Sequence, residues 1–306
     1  MSTSARRNPF DFDVAKYPPL PRARGVFVTG TDTEVGKTLV AGAIARRLRR
    51  SGRRVEVFKP AATGCRRTRE GLVSDDTEFL AACADSRMML ADITPVRYRT
   101  ALAPNVAAER EGRPVDLEAI FHAYARVAAA GEVLVVEGVG GLLCPISNDF
   151  WVIHFARMTR LPLVIVARAG LGTINHTLLT LHAARSAGLS VAGVVINRYR
   201  LELPTEDRRL SIERPGAAEK GDRPVADRQS SIDGPRSEGA GPRYARGDED
   251  LAMFTNPAQI IERGRVEVLA IVPEEEGNSV QNVTVGRDTQ FAIDQVDWER
   301  IIALDR

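Results

Sequence analysis

Lysine is nearly absent from this chain. Of 42 basic residues only Lys16, Lys37, Lys59 and Lys220 are lysine, so arginine serves almost everywhere a generic positive charge is enough. A compact, rotatable ammonium and a planar guanidinium fork do different chemistry. Two of the four lysines, Lys37 and Lys59, stand at the carboxyl ends of apolar stretches that read as strands, which suggests that both positions require lysine. Cysteine is sparse as well: Cys65, Cys83 and Cys144 show no C-x-x-C spacing, which argues against a zinc site or a disulfide framework and suits a reducing compartment. The first 24 residues hold Asp11, Asp13 and four prolines but no apolar core of the signal-peptide kind. No run of roughly 18 apolar residues occurs anywhere. G-x-S-x-G is missing too, and His122, His154, His176 and His182 form no constellation with Ser or Cys, which leaves them structural roles. Net charge is +2 with the basic residues spread along the chain, so no footprint for nucleic acid or an acidic membrane is present. The expectation is a cytoplasmic protein with neither partner.

What is present begins near the start. Gly30-Thr31-Asp32-Thr33-Glu34-Val35-Gly36-Lys37-Thr38 follows the apolar strand Val26-Phe27-Val28 and opens a helix in which Leu39, Val40, Ile44 and Leu48 recur at helical spacing. Such a loop lets backbone N–H groups approach a phosphate closely, and the helix N-terminus adds partial positive charge there. Lys37 suits the β/γ oxygens and Thr38 a magnesium ion, as in G-x-x-x-x-G-K-[ST] loops, although Gly30 stands one place farther out than that pattern requires.

Strands and helices alternate thereafter. Strand 55–58 ends at Lys59; helices are expected over about 75–84 and 117–129, strand 133–136, strand 163–167, helix 173–187, strand 191–196 and a last strand around 268–271. Near-continuous apolar strands separated by helices predict an α/β fold, a single doubly wound, mostly parallel sheet with helices on both faces. At 306 residues this is one domain, residues 25–306, preceded by a poorly ordered extension over 1–24. Ligands in such sheets bind beyond the carboxyl ends of the strands. There, Glu137 is delivered into the glycine-rich turn Gly138-Val139-Gly140-Gly141, Asp75 and Asp76 follow a Gly-Leu-Val-Ser turn, and Asn197 closes strand 191–196. A carboxylate at Glu137 suits magnesium. Asp76 reads equally as a second ligand or as an ordinary acid at a helix N-terminus, and the Asn197 amide offers a donor and an acceptor to a base edge.

Together these segments resemble the dethiobiotin synthetase family, within the P-loop NTPase-like class. The resemblance runs through 29–38, Lys59-Pro60 with Thr63-Gly64, Glu70-Gly71-Leu72 leading to Asp76, Glu111-Gly112-Arg113-Pro114, 136–141, Leu171-Gly172-Thr173-Ile174-Asn175-His176 and Asn197, and more weakly through Asn256 to Pro273. It implies a ligase that takes 7,8-diaminononanoate, CO2 and ATP to dethiobiotin, ADP and phosphate with Mg2+ as cofactor. Lys37, Lys59 and Thr33 would be catalytic, with Thr63 beside Lys59 and Glu34 facing the substrate amines. Thr33, Glu34, Val35, Gly36, Lys37, Thr38, Asp76, Glu137, Gly140, Asn197 and Pro273 would meet the nucleotide, and Thr38, Asp76 and Glu137 the magnesium. Leu171, Gly172, Thr173, Ile174 and Asn175, with Thr173 as a helix N-cap, would hold the substrate carboxylate of a neighbouring subunit, which implies a homodimer with its substrate site at the interface.

Two departures and an acidic run accompany the resemblance. Between Leu203 and Asp250 five prolines, six glycines and dense mixed charge make a low-complexity insertion with too little apolar surface to offset the entropy of ordering it. Ala103-Pro104-Asn105 lacks a histidine expected after the proline, and Glu274-Glu275-Glu276 occupies the segment that closes over the nucleotide. Partitioning ATPases carry an extra lysine where this chain has Asp32, and a cobyrinate-type amide synthase needs a nucleophilic cysteine that the chain beyond Asn197 does not contain.

Overall fold

The computed structural model describes residues 16–69, 71–200 and 246–303. Most of the 203–250 insertion, residues 1–15 and Glu70 of the resemblance lie outside the described residues. In chain order the elements are β1 (Gly25–Gly30), α1 (Lys37–Arg50), β2 (Val55–Phe58), β3 (Ala61–Ala62), β4 (Arg66–Thr68), β5 (Gly71–Val73), α2 (Asp75–Ala84), α3 (Leu90–Ile93), β6 (Val96–Arg97), α4 (Pro104–Glu111), α5 (Leu117–Ala130), β7 (Val133–Gly141), α6 (Val152–Thr159), β8 (Leu163–Arg168), α7 (Thr173–Ser186), β9 (Val191–Tyr199), α8 (Arg246–Gly264), β10 (Val268–Pro273), α9 (Arg287–Asp294) and α10 (Trp298–Ile302).

Six strands form one sheet in the order β10-β9-β8-β1-β7-β2, and every pairing in it is parallel. Parallel strands put all their carboxyl ends on one edge, so the ends of β1, β2, β7 and β9 converge. The strands carry apolar residues on both faces because side chains alternate. Phe27, Leu134, Val136, Leu163 and Ile165 enter one core layer, while Val26, Val28, Val133, Val135 and Val164 enter the other. Helices α5, α6, α7 and α8 cover the first layer through Ile120, Phe155, Leu181 and Ile260; α1, α2, α9 and α10 cover the second through Ile44, Phe79, Ile293 and Trp298. Each such buried side chain contributes about 1.5–3 kcal/mol. Phe58 at the end of β2 meets Tyr124 and Phe155 in edge and tilted contacts, which fixes the strand end that presents Lys59.

Three expectations are corrected. Residues 138–141 continue β7 instead of turning, because Gly30 pairs with Gly141 after a register shift. Residues 71–73 form β5, which pairs antiparallel with β4. From Lys16 onward the leading segment is anchored, with the Tyr17 ring packed at 5.5 Å from Phe121 and 5.1 Å from Phe150. Among the described residues no helix is long and apolar enough to cross a membrane.

Candidate active site

Gly36 is the hinge of the phosphate loop. It caps α1 with φ 91° and ψ 28°, and a Cβ there would stand 2.0 Å from Asn197 Nδ2. Only glycine satisfies both conditions. Asn197, itself buried, donates from Nδ2 to the Val35 carbonyl at 2.9 Å, so the end of β9 braces the loop from behind. One N–H of its amide is thereby committed to the loop. Val35 turns its side chain into the core and leaves only its backbone for a ligand. Glu34 holds φ 60°, a left-handed conformation uncommon for a residue with a side chain and a form of strain that gathers at functional sites. No acid occupies the first turn of α1 and no side chain caps it, so its N–H groups keep their pull on anions. Lys37 donates to the Asp32 carbonyl at 3.0 Å. Burial lowers its pKa, an effect that Glu137 and Asp76 oppose and Lys59 reinforces.

Beside the loop lies a compact cluster of charge. Lys59, directly after β2, donates to Asp76 Oδ2 at 2.7 Å and to Glu137 Oε1 at 2.8 Å, and Thr38 donates to the same Glu137 oxygen at 2.8 Å. Asp76 belongs to the first turn of α2, which Ser74 caps by accepting from Thr77 N, so it is both the helix-terminal acid and a member of the cluster. Burial disfavours the Lys59 ammonium, yet Glu137 and Asp76 together outweigh it and raise its pKa, which keeps the lysine charged. Lys59 also holds the Asp76 carboxyl below its usual range, whereas burial pushes Glu137 up against the pull of Lys59.

The second carboxylate oxygen of Glu137 is buried and makes no hydrogen bond. An unused acceptor flanked by a hydroxyl and a second carboxylate is an oxygen-only donor set of the kind a hard divalent cation takes. Among the described residues no group of three or more His, Cys, Asp or Glu could hold a metal alone. A cation here would therefore take its remaining ligands from water and phosphate.

A cleft of about 990 Å³ opens over this floor and gathers most of the expected residues: Thr33, Glu34, Gly36, Lys37, Thr38, Lys59, Thr63, Asp76, Glu137, Gly140, Asn197 and Pro273. The segment Leu171–Asn175 does not line it, and the N-cap of α7 is Gly172 at φ 89°, with Thr173 the first helical residue, fully buried. His176 in that first turn lies 4.0 Å from Asp32 of the loop. The wall also contains Pro104, of the Ala103-Pro104-Asn105 segment, and Leu102, Cys144 and Arg198, which no motif marks. The segment 274–281 takes its register from Glu275, whose carboxylate accepts from Thr289 N at 3.0 Å and so ties the cleft rim to α9.

The fold and floor define a nucleotide-phosphate-binding protein of the P-loop α/β class. A family model described as an AAA domain matches residues 24–281. The structure of the MinC:MinD cell division protein complex of Aquifex aeolicus superposes with a TM-score of 0.51 at 12% identity, covering 93% of this chain and 97% of that one, a likeness of fold. ATP-dependent dethiobiotin synthetase BioD of Bacillus subtilis (strain 168) is 40% identical over 190 residues, 62% of this chain and 80% of that protein. The namesake of Anaeromyxobacter dehalogenans is 44% identical over 175 residues, 57% of this chain and 77% of its own length. The chain belongs to the ATP-dependent dethiobiotin synthetase family.

Proposed function

We propose that this chain makes dethiobiotin from 7,8-diaminononanoate, CO2 and ATP, as a cytoplasmic homodimer. One substrate amine attacks CO2 and loses a proton to give a carbamate. A carbamate oxygen then attacks the γ-phosphorus and ADP leaves. The second amine attacks the carbamoyl carbon and gives up a proton, phosphate leaves with the electron pair of the broken C–O bond, and the cyclic urea closes. Phosphoryl transfer of this kind needs positioning and charge neutralisation more than covalent help.

The residues present suit those needs. The loop N–H groups of Thr33 to Thr38 and the Lys37 ammonium hold the β- and γ-phosphates, with Thr33 and Gly140 alongside. Lys59, held charged, meets the carbamate and the oxygens of the transferred phosphoryl group, and Thr63 stands next to it in the cleft wall. Glu34, exposed at the cleft mouth, faces the diamine. Thr38, Asp76 and Glu137 would hold Mg2+, which supplies charge neutralisation on the phosphates. The N–H groups of Leu171 to Asn175 at the start of α7 receive the substrate carboxylate of a second copy. The exposed apolar residues Leu171 and Leu179 of the α7 region and Phe254 and Ile261 of α8 support a second copy as the occupant of that face.

The observation that carries the reading is the Lys37, Lys59, Asp76 and Glu137 cluster on the cleft floor. Asp32, where partitioning ATPases have their extra lysine, weighs against a switch ATPase of the same fold. Incubation with 7,8-diaminononanoate, bicarbonate and MgATP is expected to yield dethiobiotin, detected by mass. ATP hydrolysis without the cyclic urea would overturn the proposal.

A further inference from the structure

Asn256 sits in the middle of α8, far along the chain from the loop it touches, and it is 3% exposed. Its amide donates to the Ala169 carbonyl at 2.8 Å and to the Gly170 carbonyl at 3.3 Å. Those two residues connect the end of β8 to the start of α7. From the other side, Ala169 N donates to the Asn197 carbonyl at 3.0 Å, and the Asn197 side chain is the group that holds Val35 of the phosphate loop. Three hydrogen bonds thus run in series from α8 through the β8–α7 connection to the phosphate loop. An amide placed in a buried position with both its donors spent on backbone carbonyls is a specific arrangement, since losing it strands buried acceptors. It is also kept beside Pro257, which lacks the N–H that would continue the helix ladder and so makes this stretch of α8 a costly place to form helix.

We infer that Asn256 is a positioning residue for substrate binding: it fixes the β8–α7 connection and thereby aims the N–H groups at the start of α7. The inference rests on the proposed reading that those N–H groups receive the substrate carboxylate. Asn256 touches neither nucleotide nor substrate and acts through Ala169 and Gly170 alone. Its loss loosens the carboxylate cradle, whereas the Ala169–Asn197 and Asn197–Val35 bonds, which do not use the Asn256 amide, keep the phosphate loop and Lys37 in place.

The test uses the full chain with Asn256→Ala, which deletes the donor, and Asn256→Asp, which keeps the shape but turns acceptors toward two carbonyls. In Asn256→Ala, KM for 7,8-diaminononanoate is expected to rise on the order of tenfold, the loss of about one hydrogen bond's positioning, with KM for ATP unchanged and kcat within about threefold. Asn256→Asp should be worse in the same parameter. Hydrogen exchange of the amides of residues 172–175, measured without any ligand, is expected to quicken on the order of tenfold in Asn256→Ala while the sheet amides do not change. A folded Asn256→Ala with unchanged exchange and unchanged diamine KM overturns the inference, as does a parallel rise in both KM values with a fall in melting temperature. A wild-type protein that makes no dethiobiotin sinks the substrate reading, and the exchange measurement then still decides whether Asn256 holds the connection.

Discussion

Lys37, 8% exposed, reaches back to a carbonyl of its own loop across 3.0 Å. A planar fork placed there would either displace the loop or spread its charge away from the transferred phosphate. Lys37→Arg, although it conserves charge, is therefore expected to lower kcat at least about a hundredfold with little change in melting temperature. Steady-state kinetics beside a thermal melt checks this, and near-normal turnover would refute the requirement for lysine. The rarity of lysine marks Lys37 and Lys59 in the sequence itself, because a composition that avoids a residue makes each retained copy informative. Other members of the site had no such mark. The strain at Glu34 and the Asn197 bond to Val35 depend on how distant segments meet, which local sequence does not express.

At the level of elements, periodicity found the six sheet strands and helices α1, α2, α5 and α7. Helix α6 escaped because seven of its eight residues are buried, which removes the polar face that makes a helix recognisable. Helix α8 escaped because it begins inside the low-complexity stretch and contains Pro257, and α9 and α10 are too short to show a period. Burial has a cost in α6. His154 accepts from Trp151 N through Nδ1 at 3.0 Å, stacks on that indole, and is 5% exposed. Burial, reinforced by Arg157, lowers its pKa from 6.5 to about 4. The folded state therefore binds fewer protons than the unfolded state between those values, so the stability associated with neutral His154 is complete above the unfolded pKa and declines on acidification. From about pH 7 to about pH 5 the loss is expected to be roughly 2 kcal/mol. Denaturant titrations at about pH 7 and about pH 5 should show the wild type losing this much more stability than His154→Asn; parallel pH profiles would show that the imidazole does not titrate as described.

For the whole molecule, the place of the start of α7 has consequences. Residues 171–175 do not line the cleft although His176 lies 4.0 Å from Asp32 of the loop, and on the proposed reading a substrate that meets both the cleft and residues 171–175 is shared between copies. A chain disabled by Lys37→Ala and a chain disabled by Asn175→Pro, which removes one N–H where the first helical turn tolerates proline, should then complement. Random mixing gives half heterodimers, each with one intact site of two, and about a quarter of wild-type activity. No recovery in a mixture shown to exchange subunits would place the whole site within one chain. The order of the strands was readable as a class from alternating elements, whereas this division of labour was implied only by the family resemblance.

The cleft floor has one further consequence. Lys37 and Lys59 contribute two positive charges, Asp76 and Glu137 two negative ones, and the four sum to zero at close range. A triphosphate approaching this quartet meets a lattice of local dipoles with no surplus of either sign. Attraction falls to the loop N–H groups and the N-terminus of α1. On the proposed reading, Mg2+ would bring further counter-charge with the nucleotide, and the quartet would serve to orient the phosphates.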